Sequence, residues 1–183
     1  EVRGAERSPG EYRRSQNWIG PPGCTLSEAT FVPPPPHEVP KAMSDLEKFI
    51  YKNDNIPPLI KAGLIHTQFE TIHPFLDGNG RIGRLLITFY LCWKGILSKP
   101  LLYLSYYLKK HRQEYYEKLM DVRLKGDWEG WLKFFLKGVI EVSIQSTETA
   151  RKIISLRESL IEKLYQANVG SPHAVILLNK LFE

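Results

Sequence analysis

Twelve consecutive residues, His73-Pro74-Phe75-Leu76-Asp77-Gly78-Asn79-Gly80-Arg81-Ile82-Gly83-Arg84, gather an imidazole, a carboxylate, two guanidinium groups and three glycines. Pro74 blocks a helix arriving from the left, and Gly78 and Gly80 free the backbone to turn before a helix over Arg81–Lys94 begins. A loop placed there opens on the unpaired N–H groups and the positive dipole end of a helix, an anion site worth about 0.3–1 kcal/mol from the dipole alone. Phosphate is the obvious guest. Arg81 and Arg84 lie about one turn apart and reach outer phosphates of a nucleotide as forked donors. Asp77 offers the hard oxygen that Mg²⁺ prefers. His73, at the other edge, has an ordinary pKa of about 6.5, which suits a general base toward a hydroxyl attacking the bound phosphate.

The elements that hold this loop follow from the flanking patterns. Residues 1–40 are rich in Gly, Pro and Arg. Gln16-Asn17-Trp18-Ile19 and Ala29-Thr30-Phe31-Val32 are β-prone pieces separated by Gly20-Pro21-Pro22-Gly23, which reads as a small hairpin with an edge open to a partner strand. Pro33–Pro36 is expected to be an extended, non-helical connector. From Pro40 onward apolar residues recur at three and four residue spacings, so the fold is expected to be mainly α. Ile82, Leu85, Leu86, Phe89 and Trp93 form an apolar stripe ended by Gly95, which predicts a central, buried helix. Ser105, Asp127 and Ser171 are expected N-caps of three further helices, the second carrying Trp131, Phe134, Phe135 and Val139.

The chain has 183 residues with 43% hydrophobic and 25% charged residues, which fits a folded domain and excludes disordered and fibrous classes. A net charge of +5 is compatible with phosphate-bearing ligands and too modest to establish nucleic-acid binding. Cys24 and Cys92 are too few for a disulfide framework, so the expected compartment is the cytoplasm. Leu85–Trp93 is too short to span a bilayer, and no membrane association is expected. The start at Glu1 and the end in mid-pattern at Leu181-Phe182-Glu183 suggest a piece of a longer protein.

His73 to Arg84 resembles the complete signature of the Fic family, His-Pro-Phe-x-Asp/Glu-Gly-Asn-Gly-Arg-x-x-Arg. The similarity reaches outward through Gln16-Asn17-Trp18-Ile19-Gly20, Phe31 to Pro35, His66 to Glu70 and Tyr115-Tyr116, so it covers residues 10–140. The resemblance implies a Fic-type helical bundle over residues 1–168 with a β-hairpin flap at 16–33 near the loop, followed at 169–183 by the start of a helical or winged-helix segment. It implies a protein adenylyltransferase that moves AMP from ATP to a hydroxyl of a target protein. His73 would be the base, and Asp77 the Mg²⁺ ligand. Gly78, Asn79 and Gly80 would cradle the α- and β-phosphates, Arg81 and Arg84 would hold the outer phosphates, and Phe75 would anchor the core. The target would pair with the flap. Many relatives carry an inhibitory helix with a Ser/Thr-x-x-x-Glu motif that pairs with the second Arg; no Ser or Thr here is followed four residues later by Glu, so that partner is expected outside this chain.

Three other readings compete. Gly78 to Gly83 satisfies the dinucleotide pattern Gly-x-Gly-x-x-Gly, but no hydrophobic strand precedes it. His66, Glu70, His73 and Asp77 recur at helical spacing and could bind zinc or iron in a metal-dependent hydrolase, a scheme that leaves Gly78 to Arg84 without a task. A catalytically silent nucleotide-binding module, with a nucleic-acid reader beginning at Ser171, is the third. His66 is as easily a packed helical histidine as an orienting one, and Tyr115 and Tyr116 are either nucleoside contacts or core.

Overall fold

The computed structural model describes residues 10–167 and 170–182. Seven α-helices are found among them: α1 Val39–Tyr51, α2 Pro58–Ile72, α3 Asn79–Trp93, α4 Leu104–Lys110, α5 Arg112–Lys125, α6 Trp128–Gln166 and α7 Pro172–Lys180. Two single 3₁₀ turns, Leu26–Glu28 and Pro36–Glu38, lie in the N-terminal arm. The chain divides into two compact units at Val139/Ile140, so the residues of α6 up to Val139 belong to the first.

Helix α2 is the centre of the first unit. Pro57 and Pro58 fix its entry, with Pro58 at the position where a missing N–H costs nothing. Ala62, Gly63, Ile65, His66, Thr67, Phe69 and Ile72 are all buried, so the helix is enclosed on nearly every side. It packs against α1 and α3. Gly63 lets α6 approach: a Cβ there would sit 3.1 Å from Leu132 and 3.2 Å from Phe135. The Gly63 carbonyl accepts the Trp131 indole N–H at 3.1 Å, which gives that fully buried ring its polar partner. Even the buried Lys61 is answered, donating to the Lys52 carbonyl at 2.7 Å and to Asp54 at 3.1 Å.

The stripe Ile82, Leu85, Leu86, Phe89, Trp93 is not the buried side of α3. Leu86 is half-buried and the other four are 40–57% exposed, while Gly83, Ile87, Tyr90 and Leu91 face the core. The sequence carries apolar residues on both sides of this helix, and periodicity alone cannot say which side meets α2; Gly83 decides it, because only its bare backbone fits against Phe69 and Glu70. Gly95 adopts a left-handed conformation after α3, as its position predicts. Asp127 caps α6 by accepting the Gly130 N–H, and Ser171 caps α7 by accepting that of Ala174. Ser105 is no cap: it lies inside α4, and the chain breaks at His111 before α5.

The expected β-hairpin at 16–33 reduces to one antiparallel bridge, Ile19 to Phe31, with N–H to O distances of 2.9 and 3.0 Å. No strand is found among the described residues. Pro21, Pro22 and Pro33 to Pro36 have no N–H to extend a ladder, and Thr25 with Glu28 closes a capping box around a 3₁₀ turn instead. Pro36 itself opens the second 3₁₀ turn, so the proline run is extended only as far as Pro35.

In the second unit Arg157 on α6 donates to Asn179 on α7 at 2.9 Å, and Ile153, Ile154, Leu156 and Leu177 are exposed. No helix of the described residues is long and apolar enough to cross a membrane.

Trp131→Ala removes the largest fully buried side chain among the described residues and its indole bond to the Gly63 carbonyl, which keeps the Thr67 hydroxyl as a donor. Chemical denaturation should show a loss of about 3–5 kcal/mol.

Candidate active site

Helix α2 ends at His73, whose N–H still bonds to the Phe69 carbonyl at 2.9 Å while its own backbone turns left-handed, φ 49° and ψ 60°. Among the described residues it is the one non-glycine residue at positive φ. Such a conformation costs of order 1–3 kcal/mol and persists only when the surroundings hold it.

Two arginines hold it, Arg13 buried and Arg123 half-buried. Arg13 Nε donates to the His73 carbonyl at 2.9 Å, and its Nη2 reaches the carbonyls of Ile72 at 3.4 Å and of Pro34. Arg123, from α5, donates to the Glu70 carbonyl at 2.9 Å and to Thr71 Oγ1 at 3.2 Å. Two guanidinium groups thus close the last carbonyls of α2, where the helix dipole is negative. Arg123 also lies 3.7 Å from the Phe31 ring, so it pins the arm to the end of α2.

The loop from His73 to α3 is locked by Asn79. Its side-chain oxygen accepts the Phe75 N–H at 2.9 Å, and its amide donates to the Phe75 carbonyl at 2.7 Å. Asn17 donates to the same carbonyl at 2.9 Å. Gly78, at φ +84°, takes a conformation that a side chain would strain. Its carbonyl accepts the N–H groups of Arg81 and Ile82, both at 3.0 Å. The N–H groups of Asn79 and Gly80 open the helix and have no carbonyl behind them within it.

Arg81 and Arg84 line a cavity of about 560 Å³ together with Lys109, Arg112, Tyr106 and Tyr116. Four cationic groups and no acidic one make it a site for anions. Asp77 is half exposed beside it, accepting the Gly78 N–H at 2.7 Å and 3.8 Å from Arg81 Nη2. The structure therefore brings His73, Asp77, Gly78, Asn79, Gly80, Arg81 and Arg84 to one loop and the first turn of one helix. The Asn79 side chain is committed to Phe75, so what it offers a phosphate is its backbone N–H.

His66 is drawn into the core. It shares a hydrogen bond of 2.8 Å with the Tyr115 hydroxyl and stacks on Trp131. Tyr115 is buried with it and still borders the cavity, which the exposed Tyr116 also lines. The hydrolase scheme fails here: among the described residues no three His, Cys, Asp or Glu side chains stand together as a metal site. The dinucleotide scheme fails as well, because helix α2 rather than a strand precedes the glycines.

Burial lowers the His73 pKa to about 4 and that of His66 to about 4, and raises Glu70 to about 7. His73 is thus a neutral imidazole at physiological pH. Arg13 and Arg123 are not marked as parts of this site by local pattern, and Glu70 is marked only as a ligand in the metal-hydrolase reading; Arg13 lies 60 residues before the carbonyl it meets.

The profile of the Fic/DOC family matches residues 2–91. The chain belongs to the Fic/DOC family. It is 37% identical over 90 residues to a protein of Aquifex aeolicus named "Probable protein adenylyltransferase", covering 49% of this chain and 26% of that one. It is 32% identical over 127 residues to the protein adenylyltransferase Fic of Aedes aegypti, covering 68% and 22%. The crystal structure of a Fic family protein from Desulfovibrio desulfuricans superposes with a TM-score of 0.69 at 31% identity, covering 81% of this chain and 44% of that chain. The chain thus spans about a quarter of the length of these curated relatives.

The two histidines titrate against folding at low pH. Unfolded, each takes a proton below about 6.5; folded, each waits until about 4. Stability is therefore full above that window and falls as pH drops from 6.5 toward 4. Glu70 acts oppositely, since the folded state holds its proton up to about 7 and the unfolded carboxyl releases it above 4.5. Two groups outweigh one, so the urea midpoint should be lower at pH 4.5 than at pH 6.5, and His66→Phe should reduce the difference.

Proposed function

We propose that this chain is the catalytic core of a protein adenylyltransferase, which moves AMP from Mg²⁺-bound ATP to a hydroxyl side chain of a protein and releases pyrophosphate. One observation carries the reading: the loop locked by Asn79 puts a buried, neutral imidazole on one rim and the N-terminus of α3 with its two arginines on the other. A base and an anion site face the same short stretch of backbone.

In this scheme the N–H groups at Asn79 and Gly80 and the helix dipole hold the α- and β-phosphates. Arg81 and Arg84 take the outer phosphates from the cavity side as forked donors. His73 accepts the proton of the target hydroxyl as its oxygen bonds to the α-phosphorus and the bond to pyrophosphate breaks. Asp77 fits a Mg²⁺ site of the kind completed by substrate oxygens and water, since Mg²⁺ is commonly held by one or two carboxylates plus phosphates; the ion would neutralise charge on the departing phosphates. The names of the Aquifex and Aedes relatives support the same reaction.

The target would lie along the arm at Ile19 and Phe31, where Trp18 and Val32 are exposed, its backbone pairing as an added strand to bring the hydroxyl to His73. The two free cysteines accord with a reducing compartment, the cytoplasm.

Label on the α-phosphate of ATP should appear on protein, and label on the γ-phosphate should not; γ-label transfer would mean a kinase and overturn the reading. His73→Ala should lower the transfer rate by about 10²–10⁴-fold with ATP affinity nearly kept. Ile19→Pro deletes the N–H that reaches Phe31 and should impair target modification far more than ATP binding. Equal loss of both would assign the arm to folding alone.

A further inference from the structure

Glu70 is a buried carboxylate to which the reaction above gives no task. It sits one turn before His73 on α2, is 5% exposed, and its Oε1 has no hydrogen-bond partner. Its Oε2 lies 3.9 Å from His73 Nδ1, close enough for charge to act and too far for a hydrogen bond. His73 Nδ1 is itself buried and without a partner. The partnerless oxygen, Oε1, is the one turned toward Gly83, and Oε2 is the one turned toward Nδ1; a buried carboxylate and a buried ring nitrogen left unanswered side by side are costly unless they serve each other or a ligand.

Room for the carboxylate is made by the first turn of α3. A Cβ at Gly83 would stand 2.6 Å from Glu70 Oε1, so the glycine keeps that oxygen in place beneath the anion site. The groups that face the pair are cationic: Arg13 from the arm and Arg123 from α5 bear on His73, while Arg84 from α3 and Arg123 bear on Glu70. His66 and Tyr115 on the same side are occupied with each other. An imidazolium formed at His73 would be buried among guanidinium groups, and Glu70 is the negative group that lies against the ring. The Glu70 main-chain carbonyl is also on the Nδ1 side, but it already accepts from Arg123 at 2.9 Å.

We propose that Glu70 is a positioning residue for His73: its carboxylate takes the Nδ1–H, which leaves Nε2 unprotonated toward the loop, and it stabilises the imidazolium when Nε2 receives the hydroxyl proton. The kinetic part of this inference rests on the proposed transfer reaction; the tautomer part does not. In the balanced step the proton moves from the target oxygen to Nε2, the Nδ1–H remains on His73 leaning toward Glu70, and pyrophosphate carries away the bonding pair. The imidazolium later returns its proton to solvent. Burial raises the Glu70 carboxyl to about 7, so above that pH it is ionised and can accept the Nδ1–H.

Glu70→Gln keeps the shape and one acceptor but loses the charge, and Glu70→Leu loses both while filling a similar volume. Ring ¹⁵N shifts of His73, assigned by their loss in His73→Ala, read the tautomer at pH 8 without reference to activity. The wild-type ring should be in the Nδ1–H form, the Gln variant should retain it, and the Leu variant should become a mixture. In self-modification with Mg²⁺ and ATP, the rate should fall in the order wild type, Gln, Leu, by about 10-fold or more at Leu, with KM for ATP within twofold, as expected when part of a base's contribution is lost. A Leu variant that melts as the wild type does, yet leaves the His73 ring signals unchanged, overturns the proposal and assigns the tautomer to the Glu70 carbonyl. A changed tautomer with no transfer by any form keeps the Glu70 assignment and overturns the transferase reading. A changed tautomer with equal transfer rates in all three forms overturns the catalytic half.

Discussion

The C-terminus of α2 has to end inside the protein, and how its carbonyls are answered governs the rest of the site. A helix leaves its last four carbonyls without intrahelical partners, and burying them unpaired is expensive. Here the carbonyls of Glu70, Ile72 and His73 are met by the half-buried Arg123 and the buried Arg13, so each guanidinium is stabilised by the oxygens it closes. Charge-assisted bonds of this kind are worth about 1.5–3 kcal/mol each. That is comparable with the cost of the left-handed backbone at His73, of order 1–3 kcal/mol. The strained turn that sets the direction of the imidazole is therefore sustained by two residues from far along the chain.

The same two arginines settle where the arm and α5 must go. Arg13 carries the segment before the bridge, and its backbone N–H also reaches the Pro74 carbonyl at 2.9 Å. Arg123 carries α5 and stacks on Phe31 of the arm. An arm with one bridge and six prolines at positions 21, 22 and 33–36 has almost no backbone ladder of its own, so its order comes from these side chains and from Asn17 and Gln16 bonding to Phe75 and Pro33. The electrostatic result is a cationic enclosure. Burial with Arg13 and Arg123 favours neutral His73, and Arg84 and Arg123 bear on the buried Glu70, which is the counterweight.

What could be read in advance was local. The twelve-residue motif names its chemistry because each residue type has a physical reason to be there: proline to stop α2, glycine to turn, arginine to fork onto phosphates. Helical content and the caps at Asp127 and Ser171 were legible for the same reason, since each depends on residues within a turn. The orientation of α3 was not. Its exposed stripe, Ile82, Leu85, Phe89 and Trp93, is as apolar as its buried one, and what chooses between them is the steric demand of Gly83 against Glu70 and Phe69, a contact between two helices. The hairpin was over-read because β-propensity at Ile19 and Phe31 says nothing of how many neighbours lack an N–H. Arg13 and Arg123 were invisible, as surface arginines and buried ones look alike until the carbonyls that bury them are placed.

It follows that the motif does not by itself make the site. Moved to another helix pair, His73 to Arg84 would keep the glycines, the Asn79 clasp on Phe75 and the open N–H groups of α3, all of which lie within the segment. It would lose every contact that holds His73 left-handed from outside, since those come from residues 60 positions before and about 50 after. The open N–H groups of α3 would remain, because residues within the segment set them. The His73 backbone would relax into an ordinary helical or extended conformation, and of the four cationic groups lining the cavity only Arg81 and Arg84 would be left, since Lys109 and Arg112 come from α4 and α5. The open helix start is thus a property of the twelve residues, and the left-handed turn at His73 and the cationic cavity are properties of the fold.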